Sequence, residues 1–306
     1  MGFACVVKGY GSPMKRRHET CHTFGGRPMS SRCAPFLVLA HHRSGSNFLN
    51  DVLQAHPALE CLNEPLSMHT GLFRQCDLIR WDAKDYDPER LHASLAEEPE
   101  LRGFLIELRS YLLQSTERRT VGFKETVLFG KLGWLQAFMP SLRIIFLRRD
   151  PRAIVNSVLR SGLMNFWRYQ DTVPPVFQRL FPAYASQLRA HEHDALAAEL
   201  VAMSVVVRYE LARTSIGGFE HCVLPFEELL LNPAEELIKI TTLLGVAPHP
   251  APLSFMHERA TDSRGGTFSS FRRGGDVANA WQAHLSPRQC QVIEEVLHAA
   301  GERVPA

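Results

Sequence analysis

A chain of 306 residues, 45% hydrophobic and 22% charged, has the make-up of a globular protein that buries a full core. Its formal charge of +2 and pI near 8.2 argue against bulk attraction to nucleic acid as its main business. Seven scattered cysteines, odd in number and without a Cys-x-x-Cys pair, exclude a disulfide scaffold or zinc ribbon and predict reduced thiols in a cytoplasmic compartment.

Residues 1–34 read as a basic, flexible N-terminal tail, with Lys8, Lys15, Arg16, Arg17, Arg27 and Arg32 set against the single acid Glu19. The tail holds His18, Glu19 and His22 in the zinc-protease pattern His-Glu-x-x-His. That chemistry needs a stable helix, and the glycines at 25 and 26 and Pro28 break one at once, so no metal is expected there. No apolar run reaches the roughly 18 residues of a membrane span, and the N-terminus lacks the apolar core of a secretory signal. Residues 35–306 read as one domain.

Phe36 to Ala40 form an apolar run with the length of a buried strand. A polar turn from His41 to Ser46 follows, then a helical pattern carrying Phe48, Leu49, Val52 and Leu53. A strand that runs through a tight loop into a helix presents unpaired backbone N–H groups and the positive end of the helix dipole, which suits a phosphate-like anion. Arg43 adds a planar, permanent charge to that loop. The magnesium-coordinating Gly-Lys-Ser/Thr ending of nucleotide triphosphatases is absent, because Gly45 is followed by Ser46 and Asn47.

Further along, a second short strand is predicted over 58–62, leading into Asn63, Glu64 and Pro65, and a helix over 99–115. A strand over 121–124 ends in Lys124 and Glu125, and a helix spans 131–138. The second strong strand, 142–147, runs into Arg148, Arg149, Asp150 and Pro151. Asp150 suits a helix N-cap and Pro151 the first helical position. Residues 165–218 are mostly helical, with Trp167, Phe177 and Tyr184 as packing or acceptor-pocket residues. A strand at 221–224 and a helix at 234–244 follow. Next come a proline-rich linker at 248–252, a Gly/Arg-rich loop at 264–276, Trp281 and a last helix at 287–300. Alternating strands and helices predict an α/β fold, a P-loop-like parallel sheet with helices on both faces. Ligands bind at the carboxyl edge of such a sheet, where both arginine loops lie.

Three basic loops, at Arg43–Asn47, Arg148–Ser157 and Arg272–Gly275, together resemble the cofactor site of the sulfotransferases that use 3′-phosphoadenosine 5′-phosphosulfate (PAPS). The resemblance implies that Arg43, Ser44, Gly45, Ser46, Asn47 and Phe48 cradle the phosphosulfate. It implies that Arg149 and Ser157, with Arg272, Arg273 and Gly274 ahead of Trp281, hold the 3′-phosphate. No metal is implied. Arginine at position 43, where many members have lysine, is similar to the tyrosylprotein and bacterial carbohydrate or nodulation-type branches. By the same resemblance Glu64 is the base that deprotonates the acceptor hydroxyl and Lys124 stabilises the leaving oxygen. His41, His42 and Glu125 are rival bases, and Ser269 or Ser270 could add a hydroxyl near the sulfonate. A carbohydrate or glycolipid acceptor is favoured, with tyrosine or a small alcohol as alternatives. A nucleotide or sugar kinase of the same architecture, or a non-catalytic nucleotide-binding protein, would share many of these features.

Overall fold

The computed structural model describes residues 34–65, 106, 110, 119–162, 166–185, 193–261 and 277–302. The zinc-protease-like segment, the helix expected over 99–115 (save Ile106 and Ser110), Ser269, Ser270 and the Arg272–Gly274 loop lie outside the described residues.

In chain order the elements that position the site are β1 (Phe36–Ala40), α1 (Ser46–Gln54), β2 (Leu59–Asn63), β3 (Thr120–Glu125), α2 (Leu132–Phe138) and β4 (Arg143–Arg148). They continue with α3 (Pro151–Ser161), α4 (Phe166–Leu180), α5 (His193–Ser215), β5 (His221–Pro225), α6 (Phe226–Leu231), α7 (Pro233–Leu244), α8 (Ala251–Thr261) and α9 (Pro287–Ala299). The five strands form one sheet in the order β2-β3-β1-β4-β5, and every pairing is parallel. β1 is central and fully buried on both sides, which is why it reads as an unbroken apolar run rather than an alternation.

Residues alternate between two cores across the sheet. Leu37 and Leu39 of β1, Phe123 of β3 and Phe146 of β4 face a layer built from α3, α5 and α9. Phe36, Val38 and Ala40 of β1, with Ile145 and Leu147 of β4, face α1, α6, α7 and α8. α5 is buried all round from Val201 to Tyr209, as a helix enclosed by others must be. Phe177 and Tyr184 are core, the Tyr184 hydroxyl donating to Glu199 at 3.0 Å, so neither lines an open acceptor pocket. Gly122 makes room for the Phe36 ring, whose nearest atom would lie 2.4 Å from a Cβ there.

The proline-rich linker is shorter than the sequence suggests. Residues 251–261 form α8, with Pro252 in the first turn, where its missing N–H breaks no helical bond. No helix among the described residues is long and apolar enough to cross a membrane.

Candidate active site

The chain leaves the carboxyl end of β1 towards β2 and that of β4 towards β5, on opposite sides, so these adjacent strand ends are the switch point where a parallel sheet of this kind places its ligand crevice. The loop after β1 begins there. Ser44 shapes the loop: its N–H donates to the His41 carbonyl at 3.1 Å and its hydroxyl to the same oxygen at 2.6 Å. Gly45 sits at φ 90°, and a Cβ there would come within 2.2 Å of the Phe226 ring. Two constraints therefore demand glycine, one conformational and one steric. Gly45 is also the N-cap of α1, and no side chain caps that helix start. Ser46, Asn47 and Phe48 form the first turn, with Phe48 edge-on to Phe226 at 6.2 Å.

Arg43 and Glu64 are the non-glycine residues with positive φ among the described residues, at 67° and 47°. Such backbone costs on the order of 1–3 kcal/mol and collects at functional sites. Both were candidate site residues on sequence grounds, and both lie at carboxyl ends of strands.

Arg43, Arg149 and Ser157 converge. The Arg43 Nε–H donates to Ser157 Oγ at 3.0 Å, and the Arg149 guanidinium donates to the Arg43 carbonyl at 2.9 Å and to the Val277 carbonyl at 2.7 Å. Arg149 also lies over the Phe226 ring at 5.0 Å. Its backbone is clamped by the Tyr209 hydroxyl, which accepts from its N–H at 3.0 Å and donates to its carbonyl at 2.9 Å. Burial pushes that phenol well above its ordinary range, so it stays protonated. Asp150 is the N-cap of α3 as expected, accepting from the Arg152 N–H at 2.8 Å, with Pro151 at the first helical position. The Asp150 N–H donates to Glu227 at 3.0 Å, and Arg152 stacks over Trp281 at 4.1 Å.

A second constellation lies beside the first. Lys124 is in register with Val38 of β1 and Asn63 of β2, which turns its side chain to the α1 face. Its fully buried ammonium donates to Glu64 Oε1 at 2.6 Å and to Asn47 Oδ1 at 2.7 Å. The Glu64 N–H donates to the Lys124 carbonyl at 2.8 Å, fixing the turn that gives Glu64 its positive φ. The Glu64 side chain remains about one quarter exposed, at 26%, whereas Lys124 is at 0%. A carboxylate that touches solvent and a buried cation are thus joined directly.

The rival bases are placed otherwise. Glu125 is fully buried and aligned with Leu39, on the sheet face opposite Lys124. His41 is fully buried, its Nδ1–H donating to the His42 carbonyl at 2.7 Å and its Nε2 facing the Ser204 hydroxyl at 3.4 Å. Burial, then the neighbouring His42 and Arg208, hold its pKa well below the ordinary 6.5, so it is neutral. His42 Nδ1 accepts from Arg208 at 3.1 Å. Both imidazoles tie the loop to α5, through Ser204 and Arg208.

Sequence reasoning missed Arg208, Tyr209 and Glu227, and gave Asn47 only a loop role. Arg208 and Tyr209 interrupt a long apolar stretch of α5, which is the signal that marks them. Among the described residues no group of three or more His, Cys, Asp or Glu side chains is placed to hold a metal ion.

The sulfotransferase family model matches residues 35–250. The chain belongs to the sulfotransferase family. Among solved structures, this sulfotransferase is similar to the sulfotransferase domain from the curacin biosynthetic pathway. The two share 14% identity and a TM-score of 0.52 over 89% of this chain and 99% of that one, a likeness of fold. A sulfotransferase domain from the Synechococcus PCC 7002 olefin synthase matches at 19% identity and TM-score 0.48, over 89% and 97% of the two chains. Mouse sulfotransferase SULT7A1 complexed with PAP matches at 14% identity and TM-score 0.49, over 86% and 83%. No curated protein matches the chain. Family and fold together support sulfonate transfer as the general chemistry of this sulfotransferase.

Proposed function

We propose that this sulfotransferase moves a sulfonate group from PAPS to an acceptor hydroxyl, with a carbohydrate or glycolipid favoured as acceptor. The observation that carries the reading is the position of Lys124, held between Glu64 and Asn47 at the N-terminus of α1. A cation, a candidate base and an uncapped helix start meet at one point.

The donor chemistry fits these residues. PAPS supplies a sulfonate on a phosphate leaving group and a separate 3′-phosphate, so it needs two anion sites. The α1 start with Arg43 suits the first, and Arg149 with Ser157 suits the second. Val277 accepts from Arg149. Arg272, Arg273 and Gly274 are assigned to the same 3′-phosphate site on the family resemblance of the sequence. The ammonium of Lys124 has three N–H groups, and among the described residues its bonds to Asn47 and Glu64 use two of them, which suits the third to a leaving oxygen.

Glu64 takes the proton of the acceptor hydroxyl as the acceptor oxygen bonds to sulfur. The sulfur–oxygen bond to the phosphate breaks, its electron pair staying on the phosphate oxygen. Lys124, Arg43 and the N–H groups opening α1 stabilise the charge that collects there, so positioning and electrostatics supply most of the acceleration. The odd, scattered set of seven cysteines in the sequence supports a reducing, cytoplasmic setting.

Calorimetry with adenosine 3′,5′-bisphosphate and labelled-donor transfer into cell extract test the reading together. Glu64→Gln should keep bisphosphate affinity while transfer falls by on the order of 10²-fold or more. Arg149→Ala should lose affinity. Absence of bisphosphate binding in the unaltered protein, or equal binding in Arg149→Ala, would overturn the site assignment.

A further inference from the structure

Among the described residues Lys124 has two oxygen partners, and the reaction treats them differently. Glu64 Oε1, at 2.6 Å, belongs to the group that takes a proton on the proposed reading, so its negative charge is spent during each turnover. Asn47 Oδ1, at 2.7 Å, belongs to an amide that does not titrate. Asn47 also stands two residues beyond Gly45, in the first turn of the helix whose start forms the anion site. An ammonium tied to Asn47 is therefore tied to the donor's end of the crevice, whatever Glu64 is doing.

The choice of a neutral oxygen matters as well. A carboxylate at position 47 would cancel the Lys124 charge and repel a phosphosulfate at the same helix start. An amide oxygen orients the ammonium and leaves its charge in place. Because Lys124 is fully buried on a flexible four-carbon stem, the ammonium needs such a fixed acceptor to hold one geometry.

We propose that Asn47 is a positioning residue that holds the Lys124 ammonium against the 5′-phosphate side of the donor, so that Glu64 can release Lys124 when it takes the acceptor proton. The assignment rests on the PAPS reading above, and goes beyond it by giving Asn47 a role through Lys124 rather than on the nucleotide.

A double-mutant cycle in ligand binding tests this without knowledge of the acceptor. Adenosine 3′,5′-bisphosphate and adenosine 3′-monophosphate are titrated into the unaltered protein, Asn47→Ala, Lys124→Met and the double variant. Asn47→Ala should weaken the bisphosphate roughly tenfold, the size expected for loosening one charge-assisted contact. It should leave the monophosphate, which lacks the 5′-phosphate, unchanged. In the Lys124→Met background it should have no further effect. Asn47→Ser, too short to reach Lys124 yet polar at the helix start, serves the same cycle if the alanine variant does not fold. An equal loss in the Lys124→Met background would mean that Asn47 acts on the ligand directly. An equal loss for the monophosphate would mean a general structural role. Either result overturns the inference and leaves the donor reading standing. Absence of bisphosphate binding in the unaltered protein removes both.

Discussion

The Arg43 Nε–H donates to the Ser157 hydroxyl at 3.0 Å, joining the loop after β1 to the second turn of α3 across adjacent strand ends. The two residues are one unit, with Ser157 setting the direction in which the guanidinium faces. Arg43→Lys keeps the charge and loses the fork and its Nε donor. It should weaken adenosine 3′,5′-bisphosphate binding about tenfold, and Arg43→Ala about a hundredfold. Ser157→Ala should show a smaller loss. Titration calorimetry reads all three, and a lysine variant that binds like the unaltered protein would show that orientation does not matter.

Gly45 carries both a φ of 90° and the Phe226 ring where a Cβ would stand. Gly45→Ala should lower unfolding free energy by roughly 2–4 kcal/mol, combining left-handed strain with overpacking. Adding Phe226→Ala should not restore stability, since that change opens a cavity of its own and leaves the backbone strain. Urea denaturation of the two variants would reveal a purely steric origin if the second change rescued the first.

Tyr209 holds the Arg149 backbone by both its N–H and its carbonyl. Tyr209→Phe leaves two buried backbone groups without that partner and should cost about 1–3 kcal/mol of stability. It should also weaken bisphosphate binding, because Arg149 is the side chain proposed for that site. Unchanged binding with lowered stability would separate the clamp from the ligand.

His41 is neutral in the fold because burial lowers its pKa below 6.5. Below about pH 6.5 the unfolded chain takes up a proton that the folded chain refuses, so stability falls as pH drops. The slope from this one site approaches about 1.4 kcal/mol per pH unit between the unfolded and folded values. His56, lowered chiefly by burial, adds a slope of the same sign. Denaturant midpoints at pH 7.5 and 5.5 should differ, and His41→Gln should narrow the difference. An unchanged gap would assign the acid sensitivity to other groups.

Local chemistry made much of the frame readable. Phe36 to Ala40 reads as a strand because a central parallel strand, buried on both faces, is a short unbroken apolar run. Asp150 and Pro151 announce α3 through capping and a preset φ. The triangle of Asn47, Glu64 and Lys124 was readable only in part. Lys124 lies 60 positions from Glu64 and 77 from Asn47, and only the parallel register turns it towards α1. The family pattern marked Glu64 and Lys124 by position, but nothing local showed that they touch, or that Asn47 completes the set. α8 was hidden by the prolines around its start, since the same residue marks a linker and a first helical turn.

The central place of β1 also governs how the molecule is made. Phe36 pairs with Gly122 on one side and Arg143 on the other, both far later in the chain. At synthesis rates of about 5–20 residues per second, this apolar segment waits on the order of ten seconds before either neighbour exists. Such distant parallel pairing slows folding, and it leaves the strand that leads into the Arg43 loop as an exposed, aggregation-prone segment of the newborn chain.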